Sequence, residues 1–292
     1  MLDHTRLDLS DLASQSTILP MYGSTATTAS VDQRAANRSI YGVETPAEII
    51  EALRPGGVVL VERIPFHPRY AELPLGSLGD SARLQDYVGG LQSVAEQHDI
   101  GPLLIIADQE GGTVNRLPVP PLSAPALIGA TGRLDLAEQA ARLTGLAARH
   151  HGVNLVLGPV ADIVAPGQPA PPPIGERSFG ADPAHVAAMV AATIRGLHAG
   201  GVMAAAKHWP GHGRATADSH VQLPTLAIGR DEWLTHEAQP FVAAISEGVD
   251  AILSAHLIAP AVDEQNQPAS ISSNAMGPVS YTHLTLPTTP YV

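Results

Sequence analysis

The sequence has no cysteine, which excludes disulfides, thiolate metal sites and a cysteine nucleophile. Lysine is nearly absent: of 16 Lys+Arg, only Lys207 is a lysine. Charged residues make up 15% of the chain, against about 25% in an average soluble domain. The bases are outnumbered, 16 against 28 acids, giving a net charge of -12. A nucleic-acid partner held through phosphate contacts is therefore not expected, and neither is an anionic membrane surface. No apolar run reaches the roughly 18 residues of a bilayer span. Met1-Leu2-Asp3-His4 opens with neither a basic nor an apolar stretch, so no signal peptide is read and a cytoplasmic location is expected. After Glu264 there is no Asp, Glu, Lys or Arg.

What is present supports a large folded core, since 45% of the residues are hydrophobic, and this excludes disordered and collagen-like chains. A length of 292 residues fits two domains of about 150 residues each, or one α/β barrel of about 250. Six short apolar runs read as strands: Thr17–Tyr22, Gly57–Glu62, Leu103–Asp108, Val153–Leu157, Val202–Lys207 and Ala251–His256. Helical periodicity falls between them. Thr45-Pro46-Ala47-Glu48 opens one helix with a capping box and a first-turn proline. Ser81–His98, Leu134–His150, Pro183–Ala199 and Arg230–Glu247 carry apolar residues at helical spacing. Ser81 and Asp182 are expected as N-caps, Gly152 and Gly248 as C-caps.

Strand and helix alternate, and the strands are nearly all apolar, which points to a parallel sheet buried on both faces. That leaves an open doubly wound sheet or a closed barrel. The Pro-rich stretches Pro118–Pro125 and Pro166–Pro173 read as loops on the face where strands end. A closed barrel of this type has eight strands and only six are read here. Gly277–Val292 is Thr/Pro-rich and resembles a translated sequencing adapter. The barrel sequence is therefore expected to stop near Met276, with 277–292 as an irregular, artefactual tail.

Polar residues gather at strand C-terminal ends, where α/β active sites sit. In Asp108-Gln109-Glu110-Gly111-Gly112-Thr113-Val114-Asn115-Arg116 a strand ends in acids, and two glycines allow close backbone approach to a ligand. A helix-capping turn with solvated acids accounts for the same pattern without chemistry. Lys207-His208-Trp209-Pro210-Gly211-His212-Gly213 places the sole lysine at a strand end, and its Pro-Gly loop cannot be helical. Asp218 and His220 follow, two residues apart, so the carboxylate can orient the imidazole for proton transfer. A polar loop with solvated histidines is the alternative. In Glu176-Arg177-Ser178-Phe179-Gly180 the arginine presents a planar fork to a ligand or to a structural salt bridge. His256 ends the sixth strand, as a further site residue or as a hydrogen-bonded histidine of the barrel rim.

These segments resemble glycoside hydrolase family 3. Asp108–Arg116 is similar to its DQEGG-x-V-x-R-L segment. Lys207–Gly213 with Asp218–His220 is similar to its KH-F/W-PGHG…D-S-H signature, and Glu176–Gly180 with Asp182-Pro183 to ERSFG-x-DP. Asn154–Asp162 and Ala255–Pro260 fit as well, so the likeness runs from about residue 40 to 274. The DSH form resembles the β-N-acetylglucosaminidase branch. The resemblance implies an α/β fold of the (β/α)8 TIM-type, here incomplete, with six of eight strands in a catalytic barrel over residues 1–276. It implies a carbohydrate partner, an N-acetylglucosaminide of cell-wall or chito-oligosaccharide type, and no cofactor or metal. Asp108, Arg116, Arg177, Lys207 and His208 correspond to sugar-binding positions. His220 corresponds to the general acid/base and Asp218 to its orienting partner, in a double displacement that retains configuration.

Two departures stand out. Thr113 replaces an arginine common in relatives. The nucleophilic Asp, in a segment like GFDG-x-V-x-SD expected soon after Asn274, is missing, so the chain as it stands is expected to have little or no activity. Two other classes of function fit the residues: a non-catalytic sugar-binding chain, and a metal-dependent barrel hydrolase using His208, His212, His220, Asp218 and His256.

Overall fold

A computed structural model of the chain describes residues 9–63, 69–120, 122–164, 174–215, 217 and 222–283. The first elements are α1 (Leu9–Gln15), β1 (Ile18–Leu19), α2 (Val31–Tyr41), α3 (Pro46–Leu53), β2 (Gly57–Leu60), α4 (Ser81–Gln97), β3 (Leu104–Ala107), β4 (Gln109–Gly111) and β5 (Val114–Asn115). They are followed by α5 (Pro125–Ala130), α6 (Leu134–His150), β6 (Leu155–Val156), α7 (Pro183–Ala199), β7 (Met203–Trp209), α8 (Arg230–Thr235), α9 (Ala238–Ser246), β8 (Ala251–Ser254) and α10 (Ser273–His283). All six expected strands form, as β1, β2, β3, β6, β7 and β8, each shifted or trimmed at its ends. Strand and helix alternate and the pairings within each unit described below are parallel, so the fold is α/β, of the incomplete TIM type expected. No described helix is long and apolar enough to cross a membrane.

The described residues divide into two compact units. The first draws on Met1–Gln109, Asn115–Pro120 and Leu146–Val156. Its strands pair in parallel, β1 with β2, β2 with β3 and β3 with β6. Val58, Leu60 and Ile105 from the strands, with Ile49, Ile50, Leu84 and Leu91 from α3 and α4, are fully or almost fully buried. Gly57 is required by close approach: a Cβ there would lie 2.5 Å from the Leu104 carbonyl oxygen. Where β6 begins, the Asn154 side chain extends the ladder, accepting from Ile105 N (2.8 Å) and donating to the Leu103 carbonyl (2.9 Å).

The second unit draws on Glu110–Val114, Pro121–Gly145 and Leu157–Val292. Its strands β7 and β8 pair in parallel from Ala205↔Ala251, with a register shift between Lys207 and Trp209. Ala204, Ala205 and Ala206 are fully or almost fully buried, so β7 presents small side chains between Met203 and Lys207. Trp209 packs edge-to-face on Phe241 and Trp233, and its indole N–H donates to the Ala275 carbonyl at 2.7 Å.

Local signals fared unevenly. The capping boxes at Thr45 and Asp182's N-cap form as expected, and Gly152 and Gly248 adopt the positive φ of helix-terminating glycines. The N-cap of α4 is Asp80, one residue before Ser81, and accepts from Arg83 N. The expected single helix Arg230–Glu247 is broken at His236 (φ -122°, ψ -84°) into α8 and α9. Pro240 explains the break, because in a continuous helix its ring would clash with the carbonyl of His236, four residues earlier. Helix α2 was not read from the sequence, since it is mostly polar; its Ser30/Gln33 capping box is the signal that was present. Helix α10 runs past Met276, so residues 277–283 are helical; 284–292 lie outside the described residues, as does all of Pro166–Pro173.

Candidate active site

The second unit builds a compact ion cluster where β7 ends. Lys207 is only 1% exposed, and its Nζ lies 2.5 Å from Oε1 of Glu110. Glu110 is the middle residue of β4, and the chain turns directly after it, where Gly111 and Gly112 take positive φ (94° and 60°). Those glycines let the turn pack tightly: a Cβ on Gly111 would stand 2.5 Å from the Ser123 carbonyl oxygen. Arg177, in a short 3-10 turn over Gly175–Arg177, grips the same carboxylate with both edges of its fork, Nε to Oε2 at 2.7 Å and NH2 to Oε1 at 2.8 Å. Sequence left Arg177 open between ligand and salt bridge, and the salt bridge is present.

Burial by itself would raise the Glu110 carboxyl. The hydrogen bond from Arg177, with the charges of Lys207 and Arg177, outweighs it and holds the group below its ordinary value. Breaking such a buried pair by removing one partner is costly, on the order of 3–5 kcal/mol, because the other charge is stranded.

His208 follows in the strand, joined to Lys207 through a cis peptide. Its Nδ1 lies 2.7 Å from Oδ2 of Asp162, and its Nε2 lies 3.3 Å from NH2 of Arg177. Asp162 is fully buried. Its Oδ1 also accepts the backbone N–H of His212 at 2.6 Å and of His208 at 3.3 Å. Burial would raise this carboxyl too; the adjoining His208 imidazole, its hydrogen bond and the His212 amide hold it below the ordinary value. Asp162 thus ties the strand end to the Pro-Gly-His-Gly loop.

That loop is fixed at its base. Gly213 passes so near Ile163 that a Cβ would lie 2.0 Å from its carbonyl oxygen, which no side chain could tolerate. Arg214 forms a fork with the buried Glu237 (2.5 and 2.8 Å) and reaches Glu232 at 2.7 Å. The Trp233 indole donates to the Pro210 carbonyl at 2.9 Å. Asp218 and His220 lie outside the described residues.

Asp108 and Arg116 belong to the first unit. Asp108 follows β3 and is half-buried. The Gln109 side chain braces the next turn, accepting from the backbone of Arg116 (2.9 Å) and Leu117 (3.1 Å). The Arg116 guanidinium contacts Glu62, after β2, at 3.2 Å. Thr113, the departure from the family pattern, uses its backbone N–H to bond Glu176 at 2.9 Å. His256 is exposed and its Nδ1 pairs with the Ser270 hydroxyl at 2.9 Å. Among the described residues no group of three or more His, Cys, Asp or Glu could hold a metal ion.

Arg177, Lys207 and His208 are thus brought together in one unit, while Asp108 and Arg116 stand at strand ends of the other. Sequence reasoning passed over Glu110 and Asp162 as site residues. Both were in view, inside the DQEGG segment and at the end of NLVLGPVAD, but neither pattern reveals which cation or imidazole each acid would meet.

The model of the glycosyl hydrolase family 3 N-terminal domain matches residues 40–280. A β-hexosaminidase from Stenotrophomonas maltophilia (strain R551-3) is 41% identical over 169 residues, 55% of this chain and 49% of that protein. The chain spans about half the length of the curated relatives it matches. Among solved structures, a glycoside hydrolase family 3 β-N-acetylglucosaminidase from Paenibacillus sp. str. FPU-7 superposes with a TM-score of 0.79 at 32% identity, over 95% of this chain and 47% of that one. NagZ from Neisseria gonorrhoeae, in complex with N-trifluoroacetyl-D-glucosamine, gives a TM-score of 0.68 at 25% identity, over 89% of this chain and 67% of that one.

Proposed function

The chain belongs to the glycosyl hydrolase family 3 N-terminal domain family, and from that premise we propose that it recognises the terminal N-acetylglucosamine of a β-linked substrate for retaining hydrolysis. The observation that carries this reading is the ion cluster of Glu110, Arg177, Lys207, His208 and Asp162 at the end of β7. Arg177 and Lys207 are rich in donors and suit sugar hydroxyls and the N-acetyl carbonyl. Asp108 and Arg116 are assigned to sugar binding on the strength of the DQEGG-type motif alone. The bound ligand named for the Neisseria relative, an N-acylated glucosamine, supports the same sugar class.

Catalysis is assigned to His220, oriented by Asp218, on the strength of the D-S-H motif. His220 protonates the glycosidic oxygen as a carboxylate attacks the anomeric carbon, and the sugar becomes an ester of that carboxylate. His220 then takes a proton from water, whose oxygen displaces the carboxylate with net retention. An uncharged imidazole base avoids the repulsion that a second carboxylate would impose on the nucleophile. His208 is poorly suited to that shuttle, because Asp162 and Arg177 engage both of its ring nitrogens.

Residues 265–292 contain no Asp or Glu, so none of their side chains supplies the nucleophile. The 292-residue chain should therefore bind N-acetylglucosamine by calorimetry and release almost no p-nitrophenol from p-nitrophenyl N-acetyl-β-D-glucosaminide. Full turnover would show that the nucleophile lies elsewhere in the chain; absence of binding would refute the sugar-recognition reading.

A further inference from the structure

Glu110 has no role in the reaction just described, yet both of its oxygens are held by residues that do. The geometry of those contacts determines where a proton sits. A guanidinium only donates. The NH2 nitrogen of Arg177 carries two hydrogens, and it lies 2.8 Å from Glu110 Oε1 and 3.3 Å from His208 Nε2. One hydrogen serves each acceptor, so His208 Nε2 presents its lone pair. The ring proton is then on Nδ1, 2.7 Å from Asp162 Oδ2. Asp162 alone would not dictate this, since it accepts equally from a singly or a doubly protonated ring. The guanidinium N–H fixes Nε2 as an acceptor, and Glu110 holds the guanidinium there.

We propose that Glu110 is a positioning residue: it sets Arg177 and Lys207 for the sugar and, through Arg177, keeps the lone pair of His208 on Nε2. The inference rests on the sugar contacts assigned above and deepens them. Without Glu110 the Arg177 fork and the Lys207 amine lose the carboxylate that aims them, and His208 Nε2 loses the N–H that its lone pair accepts.

Ring-nitrogen NMR of the 292-residue chain, with the His208 signals assigned by their loss in His208→Gln, reads this directly. The wild-type ring should carry its proton on Nδ1 and none on Nε2. In Glu110→Gln, which keeps the shape but removes the charge, the Nε2 signal should move to a proton-bearing position. The affinity for N-acetylglucosamine by calorimetry should fall at least about tenfold, as for loss of a charged hydrogen-bond partner. Glu110→Asp should recover part of both. A wild-type His208 protonated on Nε2 overturns the proposal without any variant, should Glu110→Gln not fold. A Glu110→Gln protein with wild-type spectrum and affinity overturns it as well. If the wild-type chain binds no N-acetylglucosamine, the functional reading fails, while the His208 spectrum still decides the role of Glu110.

Discussion

Two arginine–glutamate pairs stand at strand ends, one in each unit, and they differ in almost every physical respect. Arg177 meets Glu110 through two hydrogen bonds of 2.7 and 2.8 Å, with side chains 14% and 2% exposed. Arg116 meets Glu62 through one contact of 3.2 Å, with side chains 29% and 62% exposed. The first pair shares its carboxylate with a buried lysine and its guanidinium with a histidine. The second opens to water, where an ion pair gains little and is weakened by salt. The same two residue types therefore do different work: one organises a buried cluster, the other loosely steadies a partly exposed guanidinium.

The largest expected effect comes from emptying the buried pair. Glu110→Ala strands Arg177 and Lys207, and should destabilise the protein by about 3–5 kcal/mol in urea unfolding; a loss below about 1 kcal/mol would erase the contrast between the pairs. Acid should come next. Glu110 and Asp162 are both held below their ordinary values, so the folded state binds fewer protons than the unfolded one. Their contribution to stability is complete above about pH 4, the unfolded carboxyl range, and is lost as pH falls through the lower folded values. The urea midpoint should drop steeply below that pH, and less steeply in Glu110→Gln; an equal slope in the variant would remove Glu110 from the account. The smallest effect belongs to Glu62→Ala, which should change stability by less than about 1 kcal/mol. If that variant is as damaging as Glu110→Ala, the exposed pair is not the loose one described here.

The alternation of strand and helix was readable because its cause is local. Buried parallel strands are uniformly apolar, and Thr45 with Glu48 and Asp182 with Pro183 mark helix starts within four residues. The break at His236 was legible in principle from Pro240, but the apolar periodicity on both sides of it suggested one helix. The site was legible only in part. Arg177, Lys207 and His208 were singled out by type and by position at strand ends, whereas their acids were not, because Glu110 is 67 residues from Arg177 and Asp162 is 46 from His208. A single sequence carries no signal for which distant cation neutralises which acid. That matching is made by packing, and the glycines at 111, 112 and 213 show how closely the backbone must approach for it to occur.

The burial of Lys207 has a chemical corollary for the whole molecule. It is the sole lysine, and it is 1% exposed with its amine against Glu110. The folded surface consequently offers no lysine to acylating reagents, amine cross-linkers or enzymes that modify lysine. Covalent capture of that side chain requires the site itself to open, so each labelled lysine records a molecule that has lost its ion cluster.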